Sequence, residues 1–216
     1  MYDELLEKGL AQLNLLSERN LSLLDRYIKE IELFNPAYGL VKVKDRRELI
    51  LKHILDSLAA FDTIYGTIYC GNDNKSVIRR IADVGSGAGL PGIPLAICMS
   101  ENEFTLIERM GRRAGFLLNT VAALGLSNVR IEEKEMEKSA PAYFDLVVFR
   151  AYKPLEKRIL KSLLRLLKPG GALAAYKGQR QAVEEEIVGI TNETWELFPL
   201  KVPFLKDERH LLVLYS

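Results

Sequence analysis

With 216 residues, of which 48% are hydrophobic and 27% charged, the chain is long enough to bury a full core and is expected to form one domain with an appendage. A formal net charge of +1 neither requires nor excludes a nucleic-acid partner, which a local basic patch would have to bind. The sequence shows no secretory signal, no apolar run of membrane length and no metal-ligand spacing of its two cysteines and two histidines, so we expect a cytoplasmic protein without a membrane anchor or a metal.

The N-terminal part of the chain has the apolar spacing of amphipathic helices, which continues to about residue 62. The stretch NPAYG at 35–39 combines Asn, Pro and Gly and is predicted to separate the second helix from the third. The stretch GNDNKS at 71–76 is turn-rich, and the pattern changes after it. We therefore divide the chain into a helical N-terminal region, residues 1–70, and a second domain, residues 77–216.

Short β-type runs alternate with helical stretches from residue 77 onward. Strands are predicted at 77–85, 104–108, 128–133, 143–150 and 172–178. Helices are predicted around 94–99 and at 112–125, 154–167 and 180–190. Two final apolar runs, TWELFPLKV and RHLLVLYS, have no helix between them and predict an antiparallel hairpin.

This alternation predicts an α/β, Rossmann-like fold with a mostly parallel, seven-stranded sheet, helices on both faces, a C-terminal antiparallel hairpin and a helical N-terminal extension. In such sheets, ligands bind at the carboxyl ends of the strands, near the point where the strand order reverses. Binding residues are therefore expected in the loops that follow the strands.

The first of these strands leads into a glycine-rich loop, DVGSGAGLPGIP, at 83–94. As a string it matches the GxGxxG fingerprint of dinucleotide-binding proteins, which is a weak match by itself. A diphosphate needs free backbone N–H groups at a helix N-terminus, and Pro91 and Pro94 have none. The carboxylate of Asp83 would also lie beside the diphosphate, whereas it suits a cofactor with a positive end. The loop favours a cationic nucleoside, and an NAD(P)-dependent oxidoreductase stays open as the enzymatic alternative.

Glu108 ends the second strand of this domain, 19 residues after Gly89. A carboxylate at this place can accept hydrogen bonds from both ribose hydroxyls of a bound nucleoside. Because NAD enzymes use an acid at the same place, Glu108 supports an adenine nucleoside without choosing between the two cofactors.

The stretch IADVGSGAG resembles the first motif of class I S-adenosylmethionine-dependent methyltransferases. Further segments, in chain order, resemble one family of them: HILDS (53–57), DVGSGAGLPGIPLAI (83–97), ERMGRRAGFL (108–117), FDLVVFRAY (144–152), KPGGALAAYKG (168–178) and ERHLLVL (208–214). From about residue 24 to the C-terminus, the chain resembles the bacterial RsmG family, also called GidB. Members of that family methylate N7 of a guanine in 16S rRNA of the small ribosomal subunit, in the 530 loop.

This resemblance implies S-adenosylmethionine as the cofactor. The positions it implies for cofactor binding are Asp83, Gly85, Ser86, Gly87, Gly89, Leu90, Glu108, Met136, Glu137 and Arg150. Met136 and Glu137 would lie along the adenine, and Arg150 beside both cofactor and substrate. Two positions depart from the family pattern: Gly39-Leu40-Val41 replaces the usual Asn-Leu-Thr, and Glu135 replaces an arginine.

Arg150 is the catalytic candidate. Guanine N7 has an in-plane lone pair and no proton at neutral pH, so its methylation needs no general base, and the sequence offers no Ser-His-Asp or cysteine-based constellation for one. Catalysis would depend on placing N7 in line with the methyl group, with Arg150 donating to the guanine or to a phosphate. The structural alternative for Arg150 is an ion pair with a carboxylate such as Asp83, and the two roles are compatible.

The resemblance also implies contacts with RNA, and it places the helix with the HILDS segment over the active site. The candidate RNA-binding residues are His53, Asp56, Ser57, Arg109, Arg112, Arg113, Lys177 and Arg209. For the three residues on the HILDS helix, capping and core packing remain the alternative. We expect 16S rRNA or a small-subunit particle as the partner of a monomeric protein. A non-catalytic RNA-binding protein of ribosome assembly is the alternative from another functional class.

Overall fold

The computed structural model describes residues 2–69, 77–150 and 155–216. The predicted linker at 71–76, and Ala151 and Tyr152 of the FDLVVFRAY segment, lie outside the described residues. Among the described residues, no helix combines the length and the apolar character needed to cross a membrane.

The N-terminal region begins with helices α1 (Glu4–Gln12) and α2 (Glu18–Tyr38). Each begins at a residue whose side chain accepts a hydrogen bond from a free N–H of the first turn, Asp3 in α1 and Ser17 in α2. Helix α2 ends at Gly39, which has a left-handed φ of 59°. The NPAYG stretch therefore ends the second helix as predicted, although its first four residues form the last turn of that helix.

A third helical stretch begins with α3 (Arg46–Leu49), continues through a π-helical segment, Ile50–Leu55, and ends with α4 (Asp56–Leu58). Helix α5 (Phe61–Tyr69) follows. A π-helical turn is wider than an α-helical one, and such turns occur frequently at functional sites. The HILDS segment lies across the end of this π-helical segment.

The described residues form a seven-stranded sheet with the order β3-β2-β1-β4-β5-β7-β6. Its strands are β1 (Arg80–Val84), β2 (Glu103–Glu108), β3 (Val129–Glu133), β4 (Phe144–Phe149), β5 (Leu167–Lys177), β6 (Thr194–Pro199) and β7 (His210–Tyr215). Strands β1 to β5 pair in parallel, and β7 runs antiparallel between β5 and β6. The predicted mostly parallel sheet with a C-terminal hairpin is confirmed.

Helices cover both faces of this sheet. The helices of this part are α6 (Gly92–Cys98), α7 (Gly111–Leu124), α8 (Lys157–Leu164) and α9 (Arg180–Ile187). On one face, α6 and α7 pack together with the N-terminal helices in a single apolar core. On the other face, apolar side chains of α8 and α9 cover the sheet. Helix α2 thus lies directly over the helix that follows the glycine loop.

Strand β5 begins five residues earlier than the predicted start at 172, and α8 ends earlier than predicted. The KPGG stretch, which would be expected to end a helix, lies within the strand instead. Strand β5 pairs with β4 at Leu167 and again from Ala172 onward, so the stretch lies between these two pairings, where the register shifts between Phe144 and Leu146. Gly170, in this stretch, has a left-handed φ of 76°, which glycine adopts easily. The irregularity in the strand therefore lies at a glycine.

Candidate active site

Two clefts open at the edge of the sheet where the parallel strands end. The glycine-loop cleft, of about 500 Å³, lies at the ends of β1 and β2 and includes Gly85, Glu108 and Met136 in its lining. The arginine cleft, of about 640 Å³, lies at the ends of β4 and β5 against the HILDS segment and includes Arg150 and Arg209. Because β1 lies between β2 and β4, the glycine loop separates the two clefts.

The glycine loop turns through residues with left-handed φ angles, 70° at Gly85, 58° at Gly87 and 91° at Gly89. A β-carbon on Gly85 would meet no atom within 4 Å, whereas one on Gly89 would lie 2.5 Å from Ile93 Cδ1. Gly85 therefore keeps the wall of the cleft open, and Gly89 allows the loop to pack against α6.

The N–H groups in the first turn of α6 are already used within the chain. The Gly92 N–H donates to Asp83 Oδ2 at 3.0 Å, and the Ile93 N–H donates to the Gly89 carbonyl at 2.7 Å. Pro94, the third residue of the helix, has no N–H. The first turn of this helix, which is described in full, therefore offers no free row of donors for a diphosphate.

Asp83 lies fully buried beneath the loop rather than in the open cleft. Its Oδ1 has no hydrogen-bond partner among the described residues. Burial raises the pKa of Asp83 to about 7, although the Gly92 N–H opposes this effect. Ser86 and Leu90 are also buried, and Ser86 Oγ donates to the Asp83 carbonyl at 2.8 Å, so these two side chains support the loop from within.

Glu108 is held in one position by two backbone N–H groups. Its Oε2 accepts from Gly87 and its Oε1 accepts from Met110, both at 2.9 Å. Each carboxylate oxygen keeps a further lone pair, and the residue lines the glycine-loop cleft. This arrangement suits the two hydroxyls of a ribose.

The far wall of the glycine-loop cleft is a single turn of 3₁₀-helix, Met136–Lys138. Met136 is half-buried and Glu137 is exposed. The guanidinium of Arg165 donates to three carbonyls in and beside this turn, those of Met136, Glu137 and Ser139, at 3.0 to 3.1 Å. Arg165 was not predicted from the sequence, because it belongs to no recognisable motif and lies just after α8.

Tyr27 is a second residue that sequence reasoning missed. It is fully buried on α2, and its hydroxyl donates to the Ala88 carbonyl of the glycine loop at 2.7 Å. In the sequence it is one more apolar position of an amphipathic helix, so nothing distinguishes it. The contact ties the N-terminal helices to the loop.

Arg150 follows β4 and enters the arginine cleft. Its Nη2 lies 2.7 Å from His53 Nδ1, and its Nη1 lies 3.4 Å from Asp56 Oδ2. Asp56 Oδ1 in turn accepts from Arg209 Nε at 3.0 Å. The carboxylate that pairs with Arg150 is therefore Asp56 and not Asp83, and it bridges two arginines.

The buried groups of this cluster titrate away from their ordinary values. Burial raises the pKa of Asp56, while the guanidinium groups of Arg150 and Arg209 oppose this effect. Burial and the neighbouring Arg150 lower the pKa of His53 to about 4, so its ring is neutral at pH 7. The cleft thus combines fixed positive charge with a neutral imidazole.

Ser57 and Lys177 also lie at this end of the sheet, but their polar groups are used within the chain. Ser57 Oγ donates to the His53 carbonyl at 2.6 Å, and the Ser57 carbonyl accepts from the Tyr176 hydroxyl at 2.7 Å. Lys177 is buried and forms an ion pair with Glu186. Ser57 is therefore buried with its polar groups bonded within the chain, and Lys177 lines the cleft as part of a neutral pair.

The three predicted arginines after Glu108 lie apart from the arginine cleft. Arg112 donates to the Ala37 carbonyl, and its guanidinium lies 4.7 Å from the centre of the Tyr38 ring, so it ties α7 to the end of α2. Arg109 and Arg113 line the glycine-loop cleft. Of the described residues, none forms a salt bridge with these two arginines.

Comparison with known proteins identifies the family of this chain. A family model named GidB, described as rRNA small subunit methyltransferase G, matches residues 20–212. Ribosomal RNA small subunit methyltransferase G of Treponema denticola is 41% identical over 97% of this chain and 93% of that protein. The protein of the same name from Cellvibrio japonicus is 38% identical over 95% of this chain and 91% of that protein. In structure, the human methyltransferase 10 domain containing protein shares the fold, with a TM-score of 0.58 and 13% identity over 89% of this chain and 97% of that chain.

The family match and the fold confirm the resemblance seen in the sequence. The match covers most of α2, the helices α3 to α5 and nearly all of the sheet, so both clefts lie within the matched region. The chain belongs to the GidB family, the family of rRNA small subunit methyltransferase G.

Proposed function

We propose that the protein is an S-adenosylmethionine-dependent methyltransferase that methylates N7 of a guanine in the 530 loop of 16S rRNA. The observation that carries this proposal is the pair of clefts at one sheet edge, one built around Glu108 and the other around Arg150. A nucleoside cofactor and an RNA base bound in these clefts would meet across the glycine loop, in a chain of an rRNA methyltransferase family.

The residues of the glycine-loop cleft fit the adenosyl part of this cofactor. Glu108 would accept from the ribose hydroxyls, and Gly85 leaves the space that a β-carbon would fill. Met136 and Glu137 would lie along the adenine. When bound, S-adenosylmethionine supplies an electrophilic methyl group on a positively charged sulfur.

The first turn of α6 supports this cofactor over NAD(P). Its N–H groups are bonded within the chain or absent, and a diphosphate would find a buried carboxyl, Asp83, beneath the loop. Asp83 is itself fully buried and bonded to the Gly92 N–H, so it acts on this choice by occupying that donor.

The proposed transfer requires no proton removal, because guanine N7 carries only a lone pair. The arginine cleft agrees with this requirement. Asp56 is paired with two arginines and His53 Nδ1 is occupied by Arg150, so neither side chain is placed as a general base. The task of these residues is to hold the base in line with the methyl group, an orientation effect worth up to roughly 7–11 kcal/mol.

We propose that the same cleft binds RNA through its basic residues. Besides Asp56, Arg150 contacts His53 and the Lys52 carbonyl, and Arg209 contacts Asp207 and the Glu208 carbonyl. A guanidinium has five N–H donors, so each arginine keeps further donors that can bind phosphates or base edges. Either naked 16S rRNA or a small-subunit particle in the cytoplasm would provide the substrate. All residues used are in one chain, so a monomer suffices.

The test is methyl transfer from labelled S-adenosylmethionine to 16S rRNA and to small subunits from cells that lack this modification. We expect one methyl group per RNA, located at N7 of one guanine by chemical cleavage at 7-methylguanosine. Binding of the cofactor without any labelled RNA would favour a non-catalytic RNA-binding protein. Tight binding of NAD, with no binding of S-adenosylmethionine, would favour the oxidoreductase.

A further inference from the structure

His53 lies where the wall of the arginine cleft is irregular. It belongs to the π-helical segment Ile50–Leu55, and its half-buried ring lines the cleft. One ring nitrogen, Nδ1, lies 2.7 Å from Nη2 of Arg150. The ring is therefore held by a contact between two segments separated by 97 positions in the chain.

The identity of the partner determines where the ring proton resides. A guanidinium group has five N–H donors and no acceptor, so Nδ1 of His53 must accept from Arg150. A neutral imidazole has one donor and one acceptor, and the proton is therefore on Nε2. The lowered pKa of His53, about 4, keeps the ring in this neutral form at working pH.

Nε2 of His53 has no hydrogen-bond partner among the described residues. The cleft therefore contains one N–H donor of fixed position and without charge, next to guanidinium groups that are already bonded to Asp56 and to the Lys52 carbonyl. A donor of this kind suits an acceptor on the substrate.

The chemistry of guanine indicates which acceptor. On the edge that carries N7, guanine presents the acceptors N7 and O6, whereas adenine presents N7 and an amino donor. An arginine that binds this edge through two N–H groups would cover N7, and N7 must keep its lone pair free to be methylated. A single donor directed at O6 recognises guanine without blocking the reacting atom.

We propose that His53 donates from Nε2–H to O6 of the target guanine and thereby selects guanine over adenine, and that Arg150 positions the ring in the required tautomer. This inference rests on the proposed function, since it assigns a role within the methylation of a guanine. Because the donor is neutral, it also adds no charge beside the purine, which becomes positively charged once N7 is methylated.

Two substitutions test the roles of the two ring nitrogens separately. In His53→Gln, the side-chain amide nitrogen reaches the position of Nε2, so a donor toward the base is kept. In His53→Asn, the shorter side chain reaches only the position of Nδ1, so the contact with Arg150 is kept and the donor toward the base is lost. Single-turnover transfer is measured on small-subunit RNA with either guanosine or 2-aminopurine riboside, which has N7 but no O6, at the target position. Binding of S-adenosylmethionine by calorimetry serves as the control for folding.

We expect the wild-type protein and His53→Gln to prefer guanosine over 2-aminopurine riboside by about tenfold or more. His53→Asn should transfer to both bases at one similar, low rate, with cofactor affinity unchanged. A wild-type preference in His53→Asn would overturn the role of His53 while leaving the proposed function intact. If the wild-type protein binds the cofactor but methylates no RNA, the proposed function itself fails.

Discussion

The two clefts are built in different ways. The glycine-loop cleft is formed largely by main chain and by one carboxylate, Glu108, which two backbone N–H groups hold in place. The arginine cleft is formed by side chains from distant segments, with Asp56 between Arg150 and Arg209. In the first cleft, backbone hydrogen bonds hold the carboxylate in place. In the second, each side chain is held by its contact with another side chain, as Asp56 is by Arg150 and Arg209. Loss of one side chain should therefore have different consequences in the two clefts.

The largest effect is expected for Arg150→Ala. The substitution removes the partner of His53 Nδ1 and one of the two arginine partners of Asp56, but leaves the glycine loop untouched. Transfer should fall by about a hundredfold to a thousandfold, as when a preorganised donor is lost from other active sites. Cofactor affinity, measured by calorimetry, should change less than about threefold, since Arg150 donates to none of the loop residues. Full activity of this variant would refute its proposed role.

Glu108→Gln tests the other cleft. The cofactor should bind about tenfold to a hundredfold more weakly, because the charged acceptor of the ribose hydroxyls is replaced by an amide. At saturating cofactor, transfer should remain close to that of the wild-type protein, which enzyme kinetics would show as a change in KM rather than kcat. Glu103→Gln, at the exposed start of the same strand, is the matched control and should change neither value.

A pH-dependent change in stability is expected from Asp83. Its pKa of about 7 in the folded protein lies above the ordinary value of 3.8, so the folded state binds the proton more tightly than the unfolded state. Stability should therefore fall as pH rises from about 4 to 7, by up to about 1.4 kcal/mol per pH unit. Asp83→Asn removes this slope. Denaturant unfolding of both proteins at several pH values checks it, and equal slopes would contradict the buried carboxyl.

His53 should show the opposite slope. Its pKa of about 4 in the folded protein lies below the ordinary value of 6.5, so the unfolded state binds the proton more tightly. Stability should be complete above pH 6.5 and fall as pH decreases toward 4, by less than about 1.4 kcal/mol per pH unit because the ring is only half-buried. His53→Gln should remove this loss in the same unfolding series. Opposite slopes for Asp83 and His53 would show that pH affects the two clefts in opposite directions.

The smallest effect is expected for Arg112→Ala. The substitution removes the contacts with Ala37 and Tyr38 at the surface, which should lower the free energy of unfolding by about 0.5–1 kcal/mol. RNA affinity should stay within about twofold. Arg109→Ala is the matched control, because this neighbour is exposed and should leave stability unchanged. A large loss of RNA affinity in Arg112→Ala would show that its contacts with α2 are not its main task.

The glycine-loop cleft was the easier of the two to predict from the sequence. Its parts follow each other at short spacing in the sequence: a strand, the glycine loop and the acid at the end of the next strand. In the fold, the two strands are neighbours, so these parts also lie close together. Even there, the sequence could not show that Asp83 is buried with one unpartnered oxygen, since burial depends on how α6 packs over the loop. Arg165 and Tyr27 act on that cleft from other elements and carry no motif.

The family, the α/β fold and the loop with Glu108 could be predicted from the sequence, because they depend on periodicity and on motifs of neighbouring residues. The partners of the charged groups, by contrast, depend on how distant segments pack together. Asp56 lies 94 positions from Arg150 and 153 from Arg209, and Arg112 is engaged by a carbonyl 75 positions away. No local pattern encodes such pairs, since they form only when the HILDS segment, the end of β4 and the start of β7 meet at one edge of the sheet.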